Sequence, residues 1–381
     1  MSQDSKSANS TPLAALDRRT LLKGAGALLG ASALPLKSLG QSPSASTSED
    51  PSFPFRKGYV GFTLAHEQFN VTELVRLGIL AEQAGFAYLA TSDHLQPWQT
   101  NQGHSGQAWT TLGALSYATS KIWMGTGVTC PTIRYNPAVV AEAFASLSFL
   151  TNHRIFLGIG SGEALNEKAA TGYWPSWTER SHRLVEASKI IRMLWTGQEV
   201  DFDGQFYHVH AKLYDVPQQA PPLLMAGNGP KALYRAGRWG DGLITDPKTW
   251  KTYKSQFYRG AQDAGKDPNQ MPVLVELFVV VGGEDQARIA AELWRFLPKA
   301  WHPYYNIEDP RLIEHLANQQ VPLSEVIAQF VVSADPSVHA QAILEQFAGG
   351  VTEVHVHSGQ WDQRRVIEFY GNEVLPRLPH P

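Results

Sequence analysis

The segment TSDHLQPWQ (Thr91–Gln99) sets a carboxylate, Asp93, an imidazole, His94, and an indole, Trp98, directly after the apolar run AYLA. Imidazole is well suited to taking a proton from an alcohol near neutral pH. His94 follows a strand-like run directly and has an acidic neighbour. The competing reading is a core histidine satisfied by a loop carbonyl. A second carboxylate, Glu163, lies in GIGSGEALNE, a glycine-rich turn entering a helix. There it can donate or accept a proton facing a ligand, or simply sit at a helix N-terminus and gain from the dipole. GIGSGE is not the G-x-G-x-x-G of a doubly wound unit, and no ribose-binding acid follows at the usual place. NGPKA (228–232) brings free backbone amides at a helix start beside Lys231, an arrangement that suits an anion; the alternative is an ordinary turn.

These groups need a frame. GYVGFTLAH, FAYLATSDH, KIWMGTGVTCP, RIFLGIGSGE, PPLLMAGNG, DGLITDP, MPVLVELFVVVG and VTEVHVHSG are apolar runs of strand length. Helical spacing separates most of them. Val71, Leu74, Leu77, Leu80 and Ala81 share one face ahead of Gly85. Asn136 and Pro137 cap and open NPAVVAEAFASLSFL. ERSHRLVEASKIIRMLW, PKALYRAGRWG, DQARIAAELWRFL and RRVIEFYGNEVL also read as helices. Strands this uniformly apolar suit a parallel sheet covered on both faces. The alternation predicts an α/β fold, a (β/α)8 TIM barrel, whose core takes about 250 residues. The surplus falls in two insertions, one before the fifth strand (WTGQEVDFDGQFYHVHAKLYDVPQQ) and one between the seventh and eighth (PKAWHPYYN through VVSADP). Two stacked flavodoxin-like domains are the rival, but no linker interrupts the middle of the chain.

In a barrel, functional groups gather at the C-terminal strand ends. Those ends supply Thr63, Ala65, His66 and Glu67; Ser92, Asp93 and His94; Gly127 to Cys130; Ser161, Gly162, Glu163 and Asn166; Gly227, Asn228 and Gly229; and Thr245, Asp246 and Lys248. Acid, base, aromatic and backbone donors are thus expected at one mouth.

Composition narrows the chemistry. A net charge of −3 over 381 residues, without a dense Lys/Arg run, gives no basic face for nucleic acid. The single cysteine, Cys130, excludes an intramolecular disulfide and a thiolate zinc cluster. His208/His210 and His355/His357 are spaced to share a strand face. They read as solvent-facing or loop histidines rather than ligands, and no metal site is expected. The N-terminal region differs in kind: DRRTLLKG, with Arg18, Arg19 and Lys23, precedes a small-residue apolar run, Gly24 to Leu36. That run is shorter than the roughly 20 residues a membrane span needs. Residues 1–36 resemble a twin-arginine export signal. Residues 37–55 are low-complexity and are expected to be a disordered linker. The catalytic domain is expected over 56–381.

TSDHLQPWQ, GTGVTCPTIRYNPAVVAEAFASL, RIFLGIGSGEALNE, LWTGQEVDFDGQFY and AGRWGDGLIT together resemble the F420-dependent (deazaflavin) dehydrogenases of the luciferase-like superfamily. This is the family of the glucose-6-phosphate dehydrogenases that use coenzyme F420. The resemblance runs from Tyr59 to the C-terminus and includes DQRR (Asp362 to Arg365). HEQF near the first strand, CPT in the third, LWRF and the export leader bring the chain closer to the hydroxymycolic acid dehydrogenase branch. The resemblance implies coenzyme F420 as cofactor and catalytic roles for His94, Trp98 and Glu163. His94 would be acid/base at the substrate hydroxyl, Trp98 would lie by the reacting carbon, and Glu163 would handle a proton at the ring. It gives cofactor contacts to Asp93, Val128, Cys130, Ser161, Gly162, Asn166, Asn228, Gly229, Lys231 and Ala232, with a non-proline cis peptide at Gly127–Val128. Cys130 stands where the sugar-phosphate enzymes carry a threonine.

Substrate contacts fall to Thr245, Lys248, Tyr304 and Gln329. The sugar-phosphate enzymes place a lysine and an arginine where this chain has Tyr304 and Gln329. Losing two charge-assisted contacts, each contributing about 1.5–3 kcal/mol, argues against a phosphorylated sugar. A less charged secondary alcohol is expected, a hydroxy-lipid or neutral sugar, with export across the membrane by the twin-arginine translocase. Relatives commonly form homodimers, which makes a second copy a further expected partner. The alternatives are an FMN-dependent monooxygenase of the same superfamily, a non-catalytic F420 carrier, and a glycoside hydrolase using Asp93 and Glu163 as its carboxylate pair.

Overall fold

The computed structural model describes residues 57–379. The export signal read over 1–36 and the linker read over 37–55 lie outside the described residues. In chain order the strands are β1 (Tyr59–Leu64), β2 (Tyr88–Thr91), β3 (Trp123–Thr126), β4 (Ile155–Ile159), β5 (Val200–Asp203), β6 (His208–Ala211), β7 (Leu223–Ala226), β8 (Gly242–Thr245), β9 (Val273–Val281), β10 (Val331–Ser333) and β11 (Glu353–Ser358).

Eight of them close a parallel barrel in the order β9-β11-β1-β2-β3-β4-β7-β8, with β8 pairing back onto β9. These are the eight apolar runs read from the sequence. Short β10 extends the sheet from the far end of β9, Val331 opposite Val279. Alternation along each strand sends one set of side chains inward. Tyr88, Phe156, Leu224, Ile244 and Leu274 pack together as the barrel floor. The outward set packs under the surrounding helices.

Local chemistry sets the helix starts. Asn70 Oδ1 accepts from Glu73 N ahead of Val71–Gln83, and Asn136 Oδ1 accepts from Ala138 N ahead of Pro137–Leu150. Asp246 does the same for Pro247–Asp263 through Thr249 N. That helix and Ala108–Ala118 complete the alternation where the sequence reading placed no helix. The first insertion folds into an antiparallel hairpin, β5–β6. The second is largely helical. Its Tyr304 and Ile313 form a satellite core with Trp294 and Phe296 of the preceding segment and with Trp98 and Phe278, over the barrel mouth.

The histidine pairs separate. His208 and His210 are exposed on the hairpin, beside Asp203 and beside Glu199 and Asp201 respectively. His355 and His357, read as solvent-facing or loop residues, are instead buried on β11 inside the barrel. A parallel strand covered on both faces has no solvent side, so its period-2 polar residues must point into the barrel. Among the described residues, no group of three or more His, Cys, Asp or Glu is placed to hold a metal ion.

Candidate active site

β2 runs out at Thr91 and delivers Ser92, Asp93 and His94 to the mouth. Asp93 arrives already held. Thr129 Oγ1 donates to its Oδ2 (2.6 Å), while Arg134 Nη2 (3.1 Å) and Tyr135 OH (3.3 Å) donate to its Oδ1. His94 Nδ1 stands 3.3 Å from Glu67 Oε1, at ion-pair distance but without hydrogen-bond alignment. Glu67 is buried, and its Oε2 accepts from Ser92 Oγ (2.7 Å). Ser92 Oγ in turn accepts from His66 N (3.0 Å). The ends of β1 and β2 therefore fix the imidazole jointly. Trp98 lies 5.8 Å from the His94 ring and stacks on Phe296 at 4.7 Å.

The other half of the mouth is a cleft of about 380 Å³ between the β4 turn and the β7 turn. Val128, Ser161, Gly162, Glu163, Asn228, Gly229, Lys231 and Ala232 line it. The Gly127–Val128 peptide, singled out by the resemblance, is cis. Two glycines have no substitute here. A Cβ on Gly160 would sit 2.7 Å from Val128 Cγ2. Gly162, at φ +82°, would bring one within 2.7 Å of Cys130 Sγ. Asn166 joins the two halves, because its Oδ1 accepts from Leu95 N (2.8 Å) and its Nδ2 donates to Glu163 Oε2 (3.2 Å). With its amide turned to satisfy both neighbours, Asn228 donates to Gly227 O (2.9 Å) and accepts from Trp301 Nε1 (3.1 Å). Gly229 precedes Pro230–Trp239, whose first turn leaves amides free for an anion. Cys130 is buried against Thr132, and burial pushes its thiol well up from the ordinary range.

The proposed substrate residues are not brought together as a set. Thr245 Oγ1 donates to Gly227 O (2.6 Å), tying β8 to β7. Lys248 and Gln329 are exposed, and Tyr304 is wholly buried in the aromatic satellite core.

Sequence reasoning passed over two cleft residues, Arg180 and Arg235, only 2% and 8% exposed. Arg180 lies 3.7 Å over the Trp174 ring, and Arg235 Nη1 donates to Ser181 Oγ (2.9 Å). Burial lowers both pKa values, that of Arg235 to about 10. Each has an Nε without a partner among the described residues. The signal was present: Arg180 sits in the buried stripe with Leu184, Ala187 and Ile191, where a charge has no structural use.

Glu167 was also missed. Its Oε2 accepts from Arg134 N (2.6 Å), yet desolvation outweighs the Arg134 contacts and raises its pKa to about 7. A carboxyl with a raised folded-state pKa stabilises fully below about 4.5, and that contribution is lost as pH rises to about 7. Glu167→Gln should therefore gain on wild type by up to about 3 kcal/mol between those limits. Urea midpoints measured across pH 4–8 give the difference curve, and a flat curve contradicts this account.

The cleft suits a flat, phosphate-bearing group. Its glycine walls admit a planar ring, and its buried, unneutralised guanidiniums call for an anion. Residues 56–353 match the family described as luciferase-like monooxygenase. The chain is 45% identical over 326 residues to the F420-dependent hydroxymycolic acid dehydrogenase of Mycobacterium tuberculosis (strain ATCC 25618 / H37Rv), covering 84% of this chain and 88% of that protein. It is 36% identical over 329 residues to the F420-dependent glucose-6-phosphate dehydrogenase of Mycolicibacterium gilvum (strain PYR-GCK), covering 84% and 97%. Among solved structures, an F420-dependent secondary alcohol dehydrogenase in complex with an F420-acetone adduct superposes with a TM-score of 0.78 at 32% identity, over 83% of this chain and 98% of that one. The chain belongs to the luciferase-like family and, within it, to the group of F420-dependent dehydrogenases.

Proposed function

We propose that this protein is an F420-dependent oxidoreductase that moves a hydride between a secondary alcohol and the deazaflavin coenzyme. The observation that carries this reading is the divided mouth. The His94–Glu67 pair stands on one side, and Glu163 stands across a glycine-walled cationic cleft on the other, with Asn166 joining them. Bound in the cleft, the coenzyme supplies a two-electron hydride acceptor. Val128, the β4 turn and the NGPKA helix start would hold it, with Arg180, Arg235 and Lys231 neutralising its phosphate. His94 takes the proton from the substrate hydroxyl oxygen, and Glu67 beside it stabilises the imidazolium that forms. Glu163 holds a proton at the cleft edge. Trp98, fixed by Phe296, keeps water from the reacting carbon.

A phosphorylated sugar fits poorly, since neither Tyr304 nor Gln329 supplies a cation. A neutral sugar or hydroxy-lipid alcohol fits better. Arg18-Arg19 before the apolar run supports export by the twin-arginine route to the cell envelope. Exposed Tyr117, Val139, Phe149 and Leu150, on neighbouring helices, support a second copy of the chain as partner. The test is titration of purified protein with F420, followed by addition of secondary alcohols. Saturable quenching of deazaflavin fluorescence and alcohol-dependent loss of its absorbance are expected. Extraction of FMN, or no deazaflavin binding, overturns the proposal.

A further inference from the structure

The cofactor cleft occupies β3, β4 and β7. The opposite wall, β9-β11-β1-β2, carries polar groups that the chemistry above leaves unused. Glu276 and His355 stand in register on β9 and β11, and Gly61 of β1 stands in register with His355. His355 faces inward, with Nδ1 3.4 Å from Tyr88 OH in the barrel floor. Two residues further on, His357 of β11 and Thr63 of β1 repeat that inward direction. His357 Nδ1 is bound to Glu276 Oε1 at 2.7 Å, and the imidazole stacks on Phe278 at 4.4 Å, which fixes its plane. Among the described residues its Nε2 is buried without a partner, and so is Thr63 Oγ1. Both side chains are nearly inaccessible, at 3% and 6%.

Glu276 differs. Its side chain keeps 35% exposure although it belongs to a central barrel strand. An open carboxylate inside a barrel must face a chamber. Thr63 lies on β1, whose end carries Glu67, and β1 pairs with β2, whose end carries His94, so the subsite and the reactive imidazole are served from the same wall of the barrel. Burial raises the Glu276 pKa, but the His357 hydrogen bond and the neighbouring imidazoles together outweigh this and hold the group below the usual carboxylate range.

We infer that Glu276, His357 and Thr63 form a second polar subsite that binds a further hydroxyl of the substrate, one remote from the carbinol that His94 deprotonates. The open carboxylate accepts the hydroxyl proton. Thr63 Oγ1 donates to that hydroxyl's oxygen, and His357 Nε2, left an acceptor by the Nδ1 bond to Glu276, accepts from a neighbouring hydroxyl of the same substrate, which removes the cost of leaving them unpaired. The ligand class is a neutral alcohol carrying two or more hydroxyls. An anionic substituent would meet an unneutralised carboxylate and is excluded. This inference rests on the dehydrogenase reading and decides within it, favouring a polyol or sugar over a simple hydroxy-lipid.

The test is steady-state kinetics with F420 on matched pairs: 2,3-butanediol, 2,4-pentanediol and 2,5-hexanediol, each against the 2-alkanol of equal length. Wild type should prefer at least one diol by about 10-fold in kcat/KM, the size of one well-made charged hydrogen bond. Glu276→Ala should abolish that preference while F420 still quenches normally. Thr63→Val, which keeps the Glu276–His357 pair, should reduce it several-fold and covers the case in which Glu276→Ala does not fold. A wild type without diol preference, as a chamber holding only water would give, overturns the inference. So does a preference that survives both substitutions. Failure of F420 to bind wild type would instead sink the parent reading.

Discussion

Replacing His94 by alanine should lower kcat for alcohol oxidation by about 1,000-fold, the middle of the range for a lost general base. Deazaflavin affinity should stay within about twofold. The split follows from placement. His94 comes from β2 and is set by Glu67 from the end of β1, whereas the cleft is walled by the β3, β4 and β7 ends. No cleft-lining backbone depends on the imidazole. Glu67→Gln should cost less, about 10-fold, because the Glu67 carboxylate meets His94 and Ser92 and acts by stabilising the imidazolium. Its loss should show in kcat rather than in the affinity for coenzyme. Stopped-flow single-turnover reduction separates the chemical step from product release. Full activity in His94→Ala would remove this residue from the chemistry and favour a coenzyme carrier.

The fold was legible because the barrel strands are covered on both faces and most read as nearly continuous apolar runs bounded by turn residues. Two of the helices that escaped notice did so for different reasons. Ala108–Ala118 is short and mixes Thr and Ser into its buried face, as Thr111 and Ser116 show, which blurs a 3.6-residue period. Pro247–Asp263 follows DGLITDP so closely that its proline reads as a strand stop, when in fact it opens the helix behind the Asp246 cap. At the site, strand ends named the residues, and the resemblance assigned them roles. Spacing alone could not show what pairs across strands. Asp93 binds Thr129 and Arg134 from the β3 loop, and Glu167 sits behind Arg134, all partners distant in sequence. Barrel interiors were also misjudged. A histidine pair on a parallel strand suggests surface by composition, but closure leaves the interior as the only polar side.

The cationic cleft gives the second large effect, and its sign differs between affinity and stability. Arg235→Met should weaken F420 binding by about 10- to 100-fold, the loss expected for one charge-assisted contact of about 1.5–3 kcal/mol. Arg180→Met should do the same. The double variant should fall short of the product, since two guanidiniums facing one anion share its charge. Without coenzyme the expectation reverses. A pKa lowered from 12.5 to about 10 means that the fold holds the Arg235 charge at a cost of about 3 kcal/mol. Methionine keeps an apolar stem of similar length and removes that penalty, at the loss of the Ser181 hydrogen bond and of the guanidinium's place 5.6 Å over the Trp177 ring. The apo form of Arg235→Met should therefore melt no lower than wild type. The gain in Tm on adding saturating F420 should shrink relative to wild type, because ligand stabilisation scales with the logarithm of affinity. Fluorescence titration and paired melting curves test both signs together. Unchanged affinity would show that the arginines serve the fold alone, and a large fall in apo stability would show that their packing outweighs their charge.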